Sequence, residues 1–226
     1  MRGAVVDWSL FTSLVVRSYG GQVQVASGPV SRVQVTETIM YDHQARPPAV
    51  MQSVSDGRLA LSSRACASAD CNVDFRMTVP PGVTVTVSTG GGQVTVSGIA
   101  GANLDSSGGP ARATLIGGPL TVVTDGGTLI ARDIAAATAT VTTGGGDATV
   151  VFSAAPKSVK LSTDGGTAVL AVPGGPYAVT ADSGGGPESL GIATDPAARP
   201  TLTVSSGGGP LRIEPAPRLR RPGLSA

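Results

Sequence analysis

Apolar and polar residues alternate along most of the chain, in short runs that glycine-rich segments separate. The alternation is most regular in residues 83–213, where mainly Thr, Ser, Ala and Arg lie between the apolar positions. Residues two apart on a strand point to the same face of a sheet. The pattern therefore predicts β-strands with one buried and one solvent-exposed face, joined by tight turns, in an all-β protein.

Seven glycine runs divide this region into repeats of similar length. Their last glycines are Gly92, Gly109, Gly127, Gly146, Gly166, Gly186 and Gly209, whose successive numbers differ by 17, 18, 19, 20, 20 and 23. When the repeats are aligned on these turn glycines, apolar residues form columns seven and five positions before the glycine and four positions after it. Each repeat is predicted to be a strand, a glycine turn, a second strand and a second turn. Glycine is expected at such corners because the chain must adopt positive φ there.

Two architectures fit this order of strands and turns. In an antiparallel meander each glycine run is a hairpin turn, whereas in a solenoid each repeat is one coil stacked on the preceding one. The nearly constant repeat length favours the solenoid, because coils of equal length place equivalent residues above one another. We predict a right-handed parallel β-solenoid, β-helix-like, with about 17–20 residues per coil, its handedness following the rule for parallel crossovers.

The chain is predicted to contain one domain between two terminal segments. Residues 1–19 are interpreted as the remnant of an export or anchor region, because their apolar run is shorter than the roughly 20 residues that span a bilayer. Residues 20–213 form the solenoid, with regular repeats in 83–213 and irregular earlier coils that cap its open edge. Residues 214–226 are predicted to be a Pro/Arg-rich disordered tail, because prolines end strand pairing after Ile213.

The composition argues against several classes of partner. The chain has 16 Lys and Arg residues against 15 Asp and Glu residues, so it has no strong field that would attract nucleic acid or an anionic membrane. Aromatic residues make up 3% of the chain and offer few platforms on which bases or sugar rings could stack. We expect no nucleic-acid partner, and membrane association only through an N-terminal anchor that residues 1–19 do not provide.

Two segments carry a resemblance to a known family. Residues 88–101, STGGGQVTVSGIAG, resemble the repeat unit of a bacterial putative-adhesin family of unknown function, and residues 71–82, CNVDFRMTVPPG, resemble the segment that leads into its repeats. The resemblance covers roughly residues 20–213. It implies a Gly-rich β-solenoid-like domain, often displayed outside the membrane behind an N-terminal transmembrane segment, and it implies no catalytic residues.

Catalytic and metal-binding chemistry has little support in the sequence. The single histidine, His43, lies in a polar loop, and no nucleophile-elbow motif surrounds any serine. Asp125 and Asp164 precede equivalent glycines two repeats apart, about 10 Å from each other at one strand spacing per coil, and turn chemistry accounts for both. Residues 144–150, GGGDATV, match the calcium β-roll repeat only in part. We predict no enzyme activity, no cofactor and no metal.

The two cysteines, Cys66 and Cys71, have three alternatives. They could form a small disulfide loop, bind a metal or stay reduced, although a structural metal site normally needs four ligands. Export from the cytoplasm would favour the disulfide, which makes this pair a disulfide candidate.

The interpretation that best fits these features is a non-catalytic structural or adhesion-like β-repeat protein outside the cytoplasm, at the cell surface. Its Thr/Ser-rich outer faces would contact a cell-wall polymer, a glycan or another copy of the chain. One alternative is an intracellular scaffold that polymerises end to end through its strand edges. A less favoured alternative is a polysaccharide-active enzyme built on a β-helix.

Overall fold

The computed structural model describes residues 11–41, 46–64 and 71–217, and in these ranges every regular element is a β-strand. The strands are β1 (Ser13–Ser18), β2 (Val23–Ser27), β3 (Gln34–Met40), β4 (Val50–Ser55), β5 (Arg58–Ser63), β6 (Asn72–Val79), β7 (Thr84–Thr89), β8 (Val94–Ser97), β9 (Gly101–Asp105), β10 (Ala111–Thr114), β11 (Leu120–Thr124), β12 (Leu129–Ile134), β13 (Thr138–Thr143), β14 (Ala148–Phe152), β15 (Ser158–Thr163), β16 (Ala168–Val172), β17 (Ala178–Asp182), β18 (Glu188–Leu190), β19 (Thr201–Ser205) and β20 (Leu211–Pro215). The described part of the chain has no helix long and apolar enough to cross a membrane.

The strands form two ten-stranded sheets. Sheet A has the order β17-β19-β15-β13-β11-β9-β7-β1-β5-β4, and sheet B has the order β18-β20-β16-β14-β12-β10-β8-β2-β6-β3. Neighbouring strands are parallel except β3 with β6 and β4 with β5, which are antiparallel. We call a coil each pair made of one strand in sheet A and the next strand of the chain in sheet B. The first such pair is β1 with β2, and the later ones are β5 with β6, β7 with β8 and so on to β19 with β20. The all-β prediction is confirmed, and two mostly parallel sheets are consistent with a β-solenoid-like fold.

The register of both sheets follows the columns found in the sequence. In sheet A, Val85 lies beside Ala102, then Leu120, Ala139 and Val159, and these successive residue numbers differ by 17, 18, 19 and 20. Sheet B has the same intervals between β8 and β16. The columns are buried between the sheets, where Val, Leu, Ala and Ile make up most of the core. Burial of these columns is the main source of stability, because apolar area removed from water contributes roughly 25 cal/mol per Å².

The stacking order departs from chain order at both ends of the molecule. The coil β1–β2 lies between β5–β6 and β7–β8, and the last coil, β19–β20, lies between β15–β16 and β17–β18. The prediction that each repeat stacks on the preceding one is therefore wrong at these two places. Residue type explains the order at the C-terminal end. Val179 and Ala181 of β17 lie in register with the larger Leu202 and Val204 of β19. Glu188 of β18 lies in register with Leu211 of β20. The more apolar coil therefore takes the inner position, where its side chains are buried from both sides.

Both predicted boundaries of the solenoid fall inside coils. Strand β1 pairs with β5 on one side and β7 on the other, and Leu14 and Val16 have no exposed surface. The boundary between residues 19 and 20 therefore divides the first coil. At the other boundary, β20 continues past Ile213, and Pro215 lies in register with Val172 of β16. Residues 218–226 of the predicted tail lie outside the described residues.

Candidate binding surface

The turn glycines stack into a ladder along the molecule, which Gly21 joins. In spatial order the ladder runs Gly21, Gly92, Gly109, Gly127, Gly146, Gly166, Gly209 and Gly186. A Cβ atom on any of the last seven would lie 2.0–2.4 Å from the carbonyl oxygen of the glycine before it. Only glycine permits this close approach of backbones.

The positive φ expected at these corners is found at none of the seven turn glycines, so that explanation of their role is wrong. Gly165, one position before the ladder glycine Gly166, has a φ of 97°. Gly166 itself is not in the left-handed region, and a Cβ there would lie 2.4 Å from the carbonyl oxygen of Gly146. Glycine is therefore required at position 166 because the coils approach closely there. At position 165 it is required because the turn needs a positive φ.

A second ladder of buried hydroxyls supports the turns, and the sequence interpretation missed it. Three positions before each ladder glycine except Gly21, a Ser or Thr hydroxyl donates a hydrogen bond to the carbonyl of that glycine, at 2.5–3.2 Å. The donors are Thr89, Ser106, Thr124, Thr143, Thr163, Ser183 and Ser206, all buried. The constant offset of three was the signal in the sequence. A buried carbonyl left without a donor would be costly, so this ladder helps to hold one edge of the coils in place.

The outer side of sheet A is lined with hydroxyl groups. We call the outward residues of β7, β9, β11, β13, β15 and β19 the hydroxyl face. Its members are Thr84, Thr86, Ser88, Asn103, Asp105, Thr121, Val123, Thr138, Thr140, Thr142, Ser158, Lys160, Ser162, Thr201, Thr203 and Ser205, each exposed or half-buried. All but Asp105, Val123 and Lys160 are uncharged and polar. Adjacent strands are about 4.8 Å apart, so the face repeats its hydroxyls at a regular spacing.

Hydrogen bonds between neighbouring strands order part of this face. The hydroxyls of Ser162 and Ser205 are 2.9 Å apart, and Thr201 donates to Ser158 at 3.3 Å. Among the described residues, burial raises the pKa of the Glu37 carboxyl and of the Tyr177 hydroxyl, which donates to the carbonyl of Pro173. Neither group belongs to the hydroxyl face, whose chemistry is mainly that of neutral donors and acceptors.

Comparison with known sequences and solved structures supports the assignment of the fold. No protein-family model matches the chain, and no curated protein sequence is significantly similar to it. A solved structure described as a putative adhesin from Bacteroides fragilis NCTC 9343 has a TM-score of 0.53 and 12% identity, and the match covers 92% of this chain and 94% of that one. The chain has the fold of a bacterial putative adhesin. The resemblance seen in the repeats is thereby confirmed at the level of the fold.

A second solved structure is similar over the same extent. It is described as a putative cell adhesion protein from Clostridium sporogenes ATCC 15579, with a TM-score of 0.45, 11% identity and coverage of 92% of this chain and 94% of that one.

Among the described residues, the two aspartates considered for catalysis are not in contact with each other. Asp125 and Asp164 are exposed and follow β11 and β15, with β13 between them, so they are two strand spacings, about 10 Å, apart. Asp147, in the partial calcium motif, accepts a hydrogen bond from the Thr167 backbone at 2.7 Å. The described residues contain no group of three or more His, Cys, Asp or Glu that could hold a metal ion. His43 lies outside the described residues.

The cysteine pair is only partly described. Cys71 is half-buried just before β6, and no described cysteine is a free thiol. Cys66 lies outside the described residues, so the disulfide between the two stays a prediction.

Proposed function

We propose that this chain is a non-catalytic, adhesion-like β-repeat protein that acts outside the cytoplasm and presents its hydroxyl face to a cell-wall polymer or glycan. The hydroxyl face is the observation that carries the proposal, because it spans six adjacent strands with almost uniform neutral polar chemistry. The name of the Bacteroides fragilis neighbour, a putative adhesin, agrees with such a role.

The architecture in this proposal is a right-handed parallel β-solenoid, in which each coil is one repeat of the sequence. The offset between equivalent positions lengthens from 17, between Val85 and Ala102, to 20, between Ala139 and Val159, and these values support the coil length expected from the glycine runs. Handedness follows from the general preference of parallel crossover connections. A solenoid suits adhesion because its backbone is already ordered, which lowers the entropy cost of holding many side chains against a partner.

The chemistry of the hydroxyl face matches that of a polysaccharide. Each Thr or Ser hydroxyl donates one hydrogen bond and accepts others, and sugar hydroxyls do the same. A single such contact is weak in water, but a repeated array on a repeated polymer makes many contacts at once. Several molecules on one surface would add avidity without any stronger individual contact.

The experiment is retention of the purified protein on insoluble peptidoglycan sacculi and on cross-linked dextran beads. Thr121→Glu with Thr140→Glu places two carboxylates on the hydroxyl face, on adjacent strands. Thr128→Glu with Thr149→Glu is the control, because it places two carboxylates on the sheet B side of the same two coils. Thr128 is exposed just before β12, and Thr149 is half-buried in β14. We expect saturable retention of the wild type on at least one polymer, a loss of tenfold or more in the first variant, and little change in the control. Absence of wild-type retention on both polymers, or equal retention of the two variants, would contradict the proposal.

A further inference from the structure

A polar pocket of about 270 Å³ lies on the outer face of sheet B, next to the antiparallel cap strand β3. It spans β2, β6 and β3, and its backbone floor includes Phe75, whose ring is buried in the core. The side chains that line it are Gln22, Gln24, Thr36, Thr38, Asp74 and Arg76. Asp74 and Arg76 lie in residues 71–82, the segment that resembles the one leading into the putative-adhesin repeats, and none of the six side chains belongs to the hydroxyl face.

Strand register arranges these side chains in two rows of three. Thr38 pairs with Asp74, and the Asp74 carboxylate accepts a hydrogen bond from the Gln22 backbone at 2.7 Å. The second row consists of Thr36, Arg76 and Gln24. With strands about 4.8 Å apart and alternate residues about 6.6 Å apart, the array matches one or two sugar rings in extent.

The pocket balances its charges and mixes donors with acceptors. Asp74 and Arg76 are two residues apart on β6, on the same face, and together they carry no net charge. The Gln22 backbone holds one carboxylate oxygen of Asp74, which leaves the other to accept from a ligand. The Arg76 guanidinium only donates, while the amides and hydroxyls both donate and accept.

Single parts of this chemistry recur along sheet B. The Asp147 carboxylate accepts a hydrogen bond from the Thr167 backbone at 2.7 Å, as Asp74 does from Gln22. The row that contains Gln24 continues on the outer face with Thr95, Arg112, Ile130, Thr149, Val169 and Arg212. What sets the pocket apart is the combination of a carboxylate, a guanidinium and two glutamine amides on adjacent strands, next to the cap strand β3.

We propose that this pocket binds an uncharged saccharide residue of a glycan. The Asp74 carboxylate and the glutamine carbonyls accept from sugar hydroxyls, and Arg76 and the glutamine NH₂ groups donate to hydroxyl and ring oxygens, with charge-assisted bonds at Asp74 and Arg76. No aromatic ring among the lining side chains faces the ligand, so the affinity of one pocket is weak and many displayed copies add avidity. The inference names a binding site for the proposed adhesive function, and its biological role rests on that function.

The test is an NMR titration of the ¹⁵N-labelled full chain with glucose, N-acetylglucosamine and glucuronate. We expect saturable shifts for a neutral sugar, confined to amides of β2, β3 and β6 and to the side-chain NH₂ groups of Gln22 and Gln24. Arg76→Ala should weaken binding at least fivefold. Arg112→Ala is the matched control, because Arg112 is exposed in the same row two strands beyond Gln24, and it should bind like the wild type.

Three results would overturn the pocket assignment: no saturable shift with any of the sugars, equal binding by the two arginine variants, or binding of glucuronate alone. Failure here is distinguishable from failure of the adhesive function. If the protein is retained on a polymer but sugars cause no NMR shifts at the pocket, only the pocket assignment is refuted. If sugars cause NMR shifts at the pocket but no polymer retains the protein, only the adhesive function is refuted.

Discussion

Glu37 and Glu188 end the same column of sheet B at opposite ends of the molecule. Glu37 lies in register with Phe75, and Glu188 lies in register with Leu211, and both of these partners are buried. Every residue between the two glutamates in this column is apolar. They are Phe75, Val23, Val94, Ala111, Leu129, Ala148, Ala168 and Leu211.

An inward-pointing charge on an edge strand opposes the docking of another edge, because docking would bury the charge. Two-fold pairing of β3 with β3 of a second copy would also bring like charges together. The two glutamates therefore argue against the intracellular scaffold that polymerises through its ends.

The first prediction concerns the two glutamates as obstacles to end-to-end association. Replacing both glutamates, as Glu37→Val with Glu188→Val, continues the apolar column to both edges and should produce concentration-dependent end-to-end oligomers, because head-to-tail contacts do not close. Glu214→Val is the control, since β20 has neighbours on both sides. Sedimentation velocity measures the outcome. A double variant that stays as monomeric as the control would show that the glutamates do not guard the ends.

Burial raises the pKa of Glu37 in the folded protein above its ordinary value. A raised folded-state pKa means that the contribution of the group to stability is fully present below the unfolded pKa of about 4.3 and is lost as the pH rises through the folded pKa. Glu37→Gln should therefore be more stable than the wild type at pH 7, and the difference should shrink towards pH 4. Urea unfolding at several pH values measures it. A constant difference across this range would contradict the assignment.

The glycine ladder makes opposite predictions for two adjacent glycines. In Gly127→Ala the new Cβ would lie 2.0 Å from the carbonyl oxygen of Gly109, whereas a Cβ on Gly126 meets nothing within 4 Å. We expect Gly127→Ala to lower the free energy of unfolding by about 3 kcal/mol or more, as severe overpacking does. Gly126→Ala should change it by no more than about 0.5 kcal/mol. Denaturant unfolding compares them, and similar values for both would refute the close-approach explanation.

The buried hydroxyl ladder can be tested at Thr124. Its hydroxyl donates to the Gly127 carbonyl at 2.7 Å, and the side chain is 1% exposed. Thr124→Val keeps the shape and leaves that carbonyl without its donor, so it should cost about 1–3 kcal/mol. Thr128→Val, at an exposed position, should be nearly neutral. Equal stability of the two variants would mean that water replaces the lost donor.

The columns could be predicted from sequence because burial selects for apolar residues at a fixed spacing. Stacking order could not, because backbone hydrogen bonds between parallel strands do not depend on side chains, and any coil edge can pair with any other. The difference in residue type between Leu211 in β20 and Glu188 in β18 becomes decisive only when all coils compete for inner positions. An apolar run near the start of the sequence fits both an export segment and a buried strand, and Leu14 and Val16 belong to a buried strand, β1.

The candidate surfaces were predictable to different degrees. The Thr-rich outer face followed from the alternation of residues, since every second position in a half-buried strand faces solvent. The pocket did not, because it joins residues from β2, β3 and β6 that are far apart in the sequence, such as Gln22 and Arg76. Only the insertion of the first coil beside β6 brings these strands together.

The most direct test of the adhesive account is the attachment to a polysaccharide-coated surface of intact cells that express the protein from its native gene, before and after protease shaving. The account predicts that protease added outside the cells cleaves the protein and abolishes the attachment that depends on it. Protein protected from the protease, with attachment unchanged by shaving and by deletion of the protein, would contradict the account.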